Sequence, residues 1–199
     1  MIPRTASLLV VASLPAIAGA DIVHVRFEPA LEVPIDGIPL AFDLNQDGVD
    51  DIEFVNWYDP TGFSYDQSRV RGVNGTQVGW WWALAPREFA LGELIGPDAE
   101  YSSESLMLDG AHGAKDYYDW NDFGGYLGLR IPVGDDFQYG WFNVGSMHFG
   151  PPNPITLTLY DFAYETTPNV SIRAGAIPAP GTLGALALGA LSLGRRSRR

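Results

Sequence analysis

The sequence predicts an all-β fold, an antiparallel β-sandwich of jelly-roll type, and three observations carry that expectation. Apolar residues alternate with polar ones in short runs. Turn-forming residues bound the runs, with 23 glycines and 15 prolines in 199 residues. Helical periodicity is scarce, so there are no obvious crossover helices to make a parallel sheet.

The expected strands come in order. Ile22 to Phe27 places Val23, Val25 and Phe27 on one face. Ile38 to Phe42 and Ile52 to Trp57 follow, then Tyr126 to Ile131 and Tyr139 to Val144. The longest run, Ile155 to Tyr164, is rich in the β-branched and aromatic residues that suit a pleated, half-buried surface. A short helix is the reading for Pro86 to Ile95, and exposed loops are the reading for Ala99 to Asn121, which is polar and aromatic and carries Gly110 and Gly113. No segment repeats.

Both ends read as targeting segments. Met1 to Ala20 has an early charge at Arg4, an apolar run from Leu8 to Ala12 and small residues Ala18 and Ala20 before Asp21, the arrangement of a cleaved signal peptide. The expected organisation is a signal peptide over 1–20, a β-sandwich domain over 21–176 and a sorting or anchor segment over 177–199. From Ile177 to Gly194 the chain has 18 uncharged residues, which as a hydrophobic helix would span roughly 27 Å, close to the ~30 Å of a bilayer core. Arg195, Arg196, Arg198 and Arg199 would stay on the cytoplasmic side.

Composition narrows the partners. Taking Arg4 and the four terminal arginines away leaves 7 basic against 24 acidic residues, a net charge of −17 for the mature domain. Nucleic acid and anionic lipid head groups would be repelled. The chain has no cysteine, which excludes thiol catalysis, cysteine-based zinc sites and iron–sulfur clusters. An exported domain without disulfides must be held by core burial, by metal, or by both.

The tail, Pro178-Ala179-Pro180 followed by an apolar stretch and an arginine cluster, resembles the PEP-CTERM sorting signal of Gram-negative bacteria. Ala179 stands where that family most often has Glu, and the three-part plan remains. Upstream, Tyr139-Gly140-Trp141, Tyr160 to Pro168 and Arg173-Ala174-Gly175 resemble the last strands that precede the tail in many such proteins. The resemblance implies export, an exosortase-type processing enzyme as partner, transient anchoring in the inner membrane, and delivery to the cell surface, the outer membrane or the extracellular matrix. An ordinary single-pass anchor has the same length.

One constellation carries chemistry. Asp43 to Asp51 reads D-x-N-x-D-G-x-x-D between two expected strands. Calcium takes six to eight oxygens, and alternate residues of a tight loop can turn their side chains inward to supply them. Asp43, Asn45, Asp47 and Asp51 offer side-chain oxygens, Val49 its carbonyl, and Gly48 the sharp turn. The twelfth position is Phe54 where an EF-hand has Glu, so the closer resemblance is to the calcium loops of FG-GAP, integrin-type repeats. That resemblance implies a structural calcium ion. The competing reading is a connection that uses Asp, Asn and Gly because they favour turns.

Other candidates are weaker. Trp80 and Trp82 fall on one face of a strand and Trp81 on the other, so Trp80 and Trp82 are the candidates for stacking on an extracellular polysaccharide; core packing competes. Trp57, Tyr58, Tyr117, Tyr118 and Trp120 could extend that platform, and Asp116, Asp119, Asn121 and Asp122 form an acidic group without loop spacing. His24, His112 and His148 are far apart and no metalloprotease pair exists. Carboxylate pairs for sugar hydrolysis could come from Glu53, Glu88, Glu100, Glu104 or Glu165, but spacing places no two of them together. The expectation is a non-catalytic exported protein, with a carbohydrate-binding module as the alternative and a glycan-cleaving enzyme behind it.

Overall fold

The computed structural model of the chain describes residues 21–57, 66–82, 85–104, 106–112, 115–116, 124–147 and 156–178. The signal peptide over 1–20 and the segment from Ala179 onward lie outside the described residues, as do Tyr58, Tyr117, Tyr118, Asp119, Trp120, Asn121, Asp122 and His148. Among the described residues there is no helix, and none is long and apolar enough to cross a membrane. The strands are β1 (Ile22–Glu32), β2 (Leu40–Phe42), β3 (Ile52–Trp57), β4 (Asp66–Gly72), β5 (Gln77–Trp82), β6 (Ala85–Pro86), β7 (Glu88–Phe89), β8 (Leu94–Ile95), β9 (Tyr101–Ser102), β10 (Leu106–His112), β11 (Lys115–Asp116), β12 (Gly125–Val133), β13 (Asp136–Met147), β14 (Thr156–Glu165) and β15 (Ile172–Arg173).

They pair antiparallel throughout. The large sheet runs β1-β14-β13-β12-β5-β6, with β7 on β12 and β9 on β5; the second runs β11-β10-β4-β3-β2; β15 and β8 form a separate pair. The centre of the large sheet is a hairpin, β12 to β13, closed by Gly134 and Asp135 with Gly134 at φ 59°.

The pleat explains which residues are buried. On β3, Ile52, Phe54 and Asn56 point inward while Glu53, Val55 and Trp57 point away. Phe42, Leu44, Ile52, Phe54 and Val70 join Val78, Leu127, Leu129, Ile131, Phe142, Val144, Leu157 and Leu159 in one hydrophobic cluster, so the two larger sheets share a core. Phe142 sits in its aromatic centre, with ring centroids 4.9 Å from Phe54, 5.4 Å from Phe162 and 5.6 Å from Phe42.

The other face of the large sheet is covered too, over part of its length. Tyr139, Trp141 and Ala163 meet Phe89, Ile95, Ile172 and Ala174 in a second cluster. Trp141 donates its indole N–H to the carbonyl of Ala176 at 3.2 Å, tying the end of the described chain to the sheet. Strand β13 therefore carries core residues on both sides.

Two expectations are corrected. The segment Pro86 to Ile95 is not a helix: it forms β6, β7 and β8 around a turn in which the Glu93 N–H donates to the Ala90 carbonyl. Its apolar residues do not make one buried stripe, since Phe89 is 1% exposed but Leu91 is 75% and Leu94 53% exposed. Ten residues are too few to hold a helix without tertiary packing, and here pairing to the sheet takes the backbone instead. The second correction concerns Ala99 to Asn121, expected as loops. It contains β9, β10 and β11, with β10 paired to β4 across a register shift between Met107 and Asp109. Strand β4 is not among the expected elements, and β5 extends the strand alternation expected at Trp80 to Trp82 back to Gln77.

Tyr101 offers a titration with a definite sign. Its hydroxyl donates to the Gly96 carbonyl at 3.0 Å, and burial pushes the phenol well above its ordinary value of 10.0. The fold thus favours neutral Tyr101, and that stabilisation is present below pH ~10 and is lost as pH rises further. Urea unfolding at about pH 8 and about pH 11 should show lower stability at the higher pH, with a smaller drop in Tyr101→Phe. An equal drop in both proteins would remove Tyr101 as its source.

Candidate metal centre

The Asp43 to Asp51 loop connects β2 to β3, and the ladder between those strands holds its two ends in register, with Phe42 opposite Ile52. The Asp51 N–H donates to the Phe42 carbonyl at 2.7 Å and closes the neck of the loop. Leu44, 1% exposed, plugs into the main core and fixes the loop's underside.

Over that plug the polar side chains fold back onto the loop. Asp43 accepts the N–H of Asp47 on Oδ1 at 3.1 Å and the N–H of Gly48 on Oδ2 at 2.8 Å. Asn45 Oδ1 accepts from the Asp47 N–H at 3.0 Å, and Asp47 Oδ1 accepts from the Val49 N–H at 2.9 Å. These are the side-chain-to-backbone bonds that Asp and Asn make in turns. The side chains at 43, 45 and 47 share one side because the backbone turns left-handed twice, at Gln46 (φ 62°) and Gly48 (φ 91°). A Cβ on Gly48 would meet nothing within 4 Å, so glycine is required there for its backbone angle.

Asp51 plays a different part. It is 5% exposed and lies beneath the loop, where Oδ2 accepts the N–H groups of Leu44 at 2.8 Å and Asn45 at 3.4 Å. The Thr76 hydroxyl reaches its Oδ1 at 3.2 Å. Burial raises the Asp51 carboxyl above its ordinary value; the donated bonds oppose that shift, and the nearby Asp47 charge adds to it. Beside the loop, the Asp51 and Asp43 charges also help to raise the Tyr164 phenol, behind the larger effect of burial. Neighbouring turns brace the loop: Asn74 Nδ2 donates to the Asp50 carbonyl at 2.7 Å and the Val73 N–H to the Asp51 carbonyl at 2.9 Å.

The donor set, three carboxylates, an amide oxygen and the Val49 carbonyl, is the oxygen-rich kind that suits a hard cation. Among the described residues no three or more His, Asp or Glu side chains are gathered in the manner of a metal site, and the loop's side chains are turned to its own N–H groups. Val49 is 46% exposed at the rim.

The remaining candidates separate. Trp80 is half-buried and packs on the main core, while Trp81 is 73% exposed; of Trp82 the backbone is described, as the end of β5. Pro178 is exposed at the edge of the described chain, and Ala179 and Pro180 lie beyond it. Asp116 falls in β11 opposite Ala111, and His112 in β10 opposite Lys115. Glu53 pairs with Arg71, and Glu165 is 1% exposed and accepts the Thr167 N–H at 2.9 Å.

Sequence spacing missed one pairing. His24 Nε2 and Asp161 Oδ2 are 2.9 Å apart on β1 and β14, and Asn143 of β13 donates to Asp161 Oδ1 at 2.8 Å. The alternation signal could have placed His24 on the outer side of β1, but nothing local links it to a residue 137 positions on. No family model, no curated protein and no solved structure matches this chain.

Proposed function

We propose that this is an exported, non-catalytic protein of the bacterial cell surface or extracellular matrix, a jelly-roll-like β-sandwich whose β2–β3 loop holds one structural calcium ion. Asp43, Asn45, Asp47 and Asp51 would supply side-chain oxygens and Val49 its carbonyl. The observation that carries the reading is the folding of the 43, 45 and 47 side chains onto one side of the loop above a buried Asp51. The Asp47 charge disfavours the Asp51 carboxylate, and a divalent ion between them would replace that repulsion with attraction. The sharing of one core by both larger sheets supports the sandwich. The non-catalytic reading is supported by the structural engagement of Glu53 and Glu165, two of the carboxylates open to acid–base work.

Export rests on the signal-like N-terminus and the PEP-CTERM-like tail, with an exosortase-type enzyme as processing partner and the inner membrane as a transient station.

Calcium binding to the native state alone stabilises it by about 2.7 kcal/mol at a hundredfold excess over Kd. Melting followed by circular dichroism should therefore rise by roughly 5 to 10 °C in millimolar calcium over a chelator-treated sample. Asp43→Ala should melt at one temperature in both conditions. An unchanged melting temperature in the native protein on adding calcium would end the metal reading.

A further inference from the structure

We propose that the outer face of the large sheet, at an end that the described residues leave open, binds neutral saccharide residues in a groove centred on Tyr160 and Asp161. The groove has a volume of about 530 Å³ and is lined by Arg26, Glu28, Pro29, Asn143, Tyr160 and Asp161, among others. That volume lies within the ~300–1,000 Å³ of small-ligand sites. It does not depend on the cation loop.

A backbone irregularity builds the site. Along β14, Leu157 and Leu159 point into the main core, and after one extra residue Phe162 and Tyr164 do so. The ladder with β13 shifts at that point, with Asn143 opposite Asp161 and Val144 opposite Leu159. Tyr160 is the extra residue of this bulge. Bulges redirect side chains, and here the effect is to set Tyr160 and Asp161, adjacent in sequence, both toward the outer face. Strand β1 is irregular at the same level, its register shifting between Arg26 and Leu31, and the displaced segment forms the opposite wall.

The two residues offer complementary chemistry. The Tyr160 ring lies over Gly145 of β13, where an added Cβ would stand 2.9 Å from both its Cε2 and its hydroxyl oxygen. Glycine therefore lets the ring settle against the sheet. Tyr160 is 39% exposed, a ring held in place yet open at the rim. Beside it Asp161 is fixed from two sides, by His24 Nε2 at 2.9 Å and Asn143 Nδ2 at 2.8 Å. An ionised carboxylate has roughly four lone-pair positions, so about two remain for further donors. An oriented carboxylate beside an aromatic plane matches a sugar ring, whose hydroxyls donate at the edge and whose C–H face packs on the plane.

Charge selects within that class. Asp161 and Glu28 border the groove, and Arg26, the cation among its lining residues, is paired with Glu28 at 3.3 Å. A uronic acid would meet repulsion that a neutral hexose does not. Arg26 and Glu28 are exposed along the wall, so a ligand can enter from the side, as an internal residue of a polymer must.

The test is isothermal titration and saturation-transfer NMR of the intact protein with cellotetraose, maltotetraose, tetra-N-acetylchitotetraose and tetragalacturonate. At least one neutral tetrasaccharide should bind in the millimolar range or tighter. Its affinity should fall about tenfold in Tyr160→Ala, consistent with loss of an aromatic contact. Asp161→Asn should also weaken it, Trp81→Ala should not, and the melting temperature of Tyr160→Ala should match the native value. Failure of all three neutral ligands to bind, binding indifferent to Tyr160→Ala, or preference for tetragalacturonate would each overturn the proposal.

Discussion

Replacing Asp51 by alanine is expected to cost about 3 kcal/mol of stability and to abolish any response to calcium. The truncation orphans the Leu44 and Asn45 N–H groups and the Thr76 hydroxyl at a site that is 5% exposed. Unpaired buried donors cost ~1–3 kcal/mol each, and water entering from the loop side would recover part of the sum. Asparagine separates shape from charge: its oxygen can still accept from Leu44, and its amide can donate to the threonine oxygen. Because burial raises the Asp51 carboxyl, the fold favours the neutral form, and stability from that source is lost as pH climbs through the folded value. Asp51→Asn without calcium should thus remain within ~1 kcal/mol of the native chain at neutral pH while also losing the calcium response. Urea unfolding in chelator and in calcium reads both variants. Equal damage from alanine and asparagine in chelator would show that the charge, and not the bond network, holds the loop down.

Phe142→Ala should be more damaging still, by about 4 kcal/mol, within the ~3–5 kcal/mol typical of a deleted core phenylalanine. Phe142 is fully buried and its ring touches those of Phe27, Phe42, Phe54 and Phe162. Phe42 and Phe54 belong to the smaller of the two main sheets and Phe27, Phe142 and Phe162 to the larger, so the cavity would open between them. Thermal melting should show a drop of roughly 8 to 16 °C. A loss below ~1 kcal/mol would mean that the two sheets can close over the gap.

How much of this could be read in advance depended on distance along the chain. The Asp43 to Asp51 turn was legible as a connection between two strands because its geometry is local: Asp43, Asn45 and Asp47 alternate ahead of Gly48, and the flanking strands have clear two-residue periodicity. The all-β, antiparallel character followed from the same periodicity. Strand β4 was not legible, since its buried described residues are Ser68, Val70 and Gly72, and the Ser68 hydroxyl satisfies Asn56 Oδ1 at 3.2 Å where two apolar side chains would normally meet. Tyr160 and Asp161 were hidden for another reason. Extending the alternation of Leu157 and Leu159 would turn Asp161 and Ala163 toward the main core, and a one-residue bulge reverses that assignment without a mark in the sequence. The double coverage of β13 was written in Tyr139-Gly140-Trp141-Phe142, an uninterrupted run of the sort that marks a strand buried on both sides.

The pairing of β1 with β14 joins Ile22 to Glu165, and the Thr166 N–H donates to the Asp21 carbonyl at 3.0 Å. The first strand of the domain thus waits for nearly the last. Contacts so remote in sequence slow folding, because the loop must close before the contact repays it. A chain delivered from its N-terminus would keep β1 without its partner until the final seam arrives, leaving Val23, Val25 and Phe27 in need of shielding during that interval. The speed with which that seam closes, more than the stability finally reached, would then set how long those side chains face water.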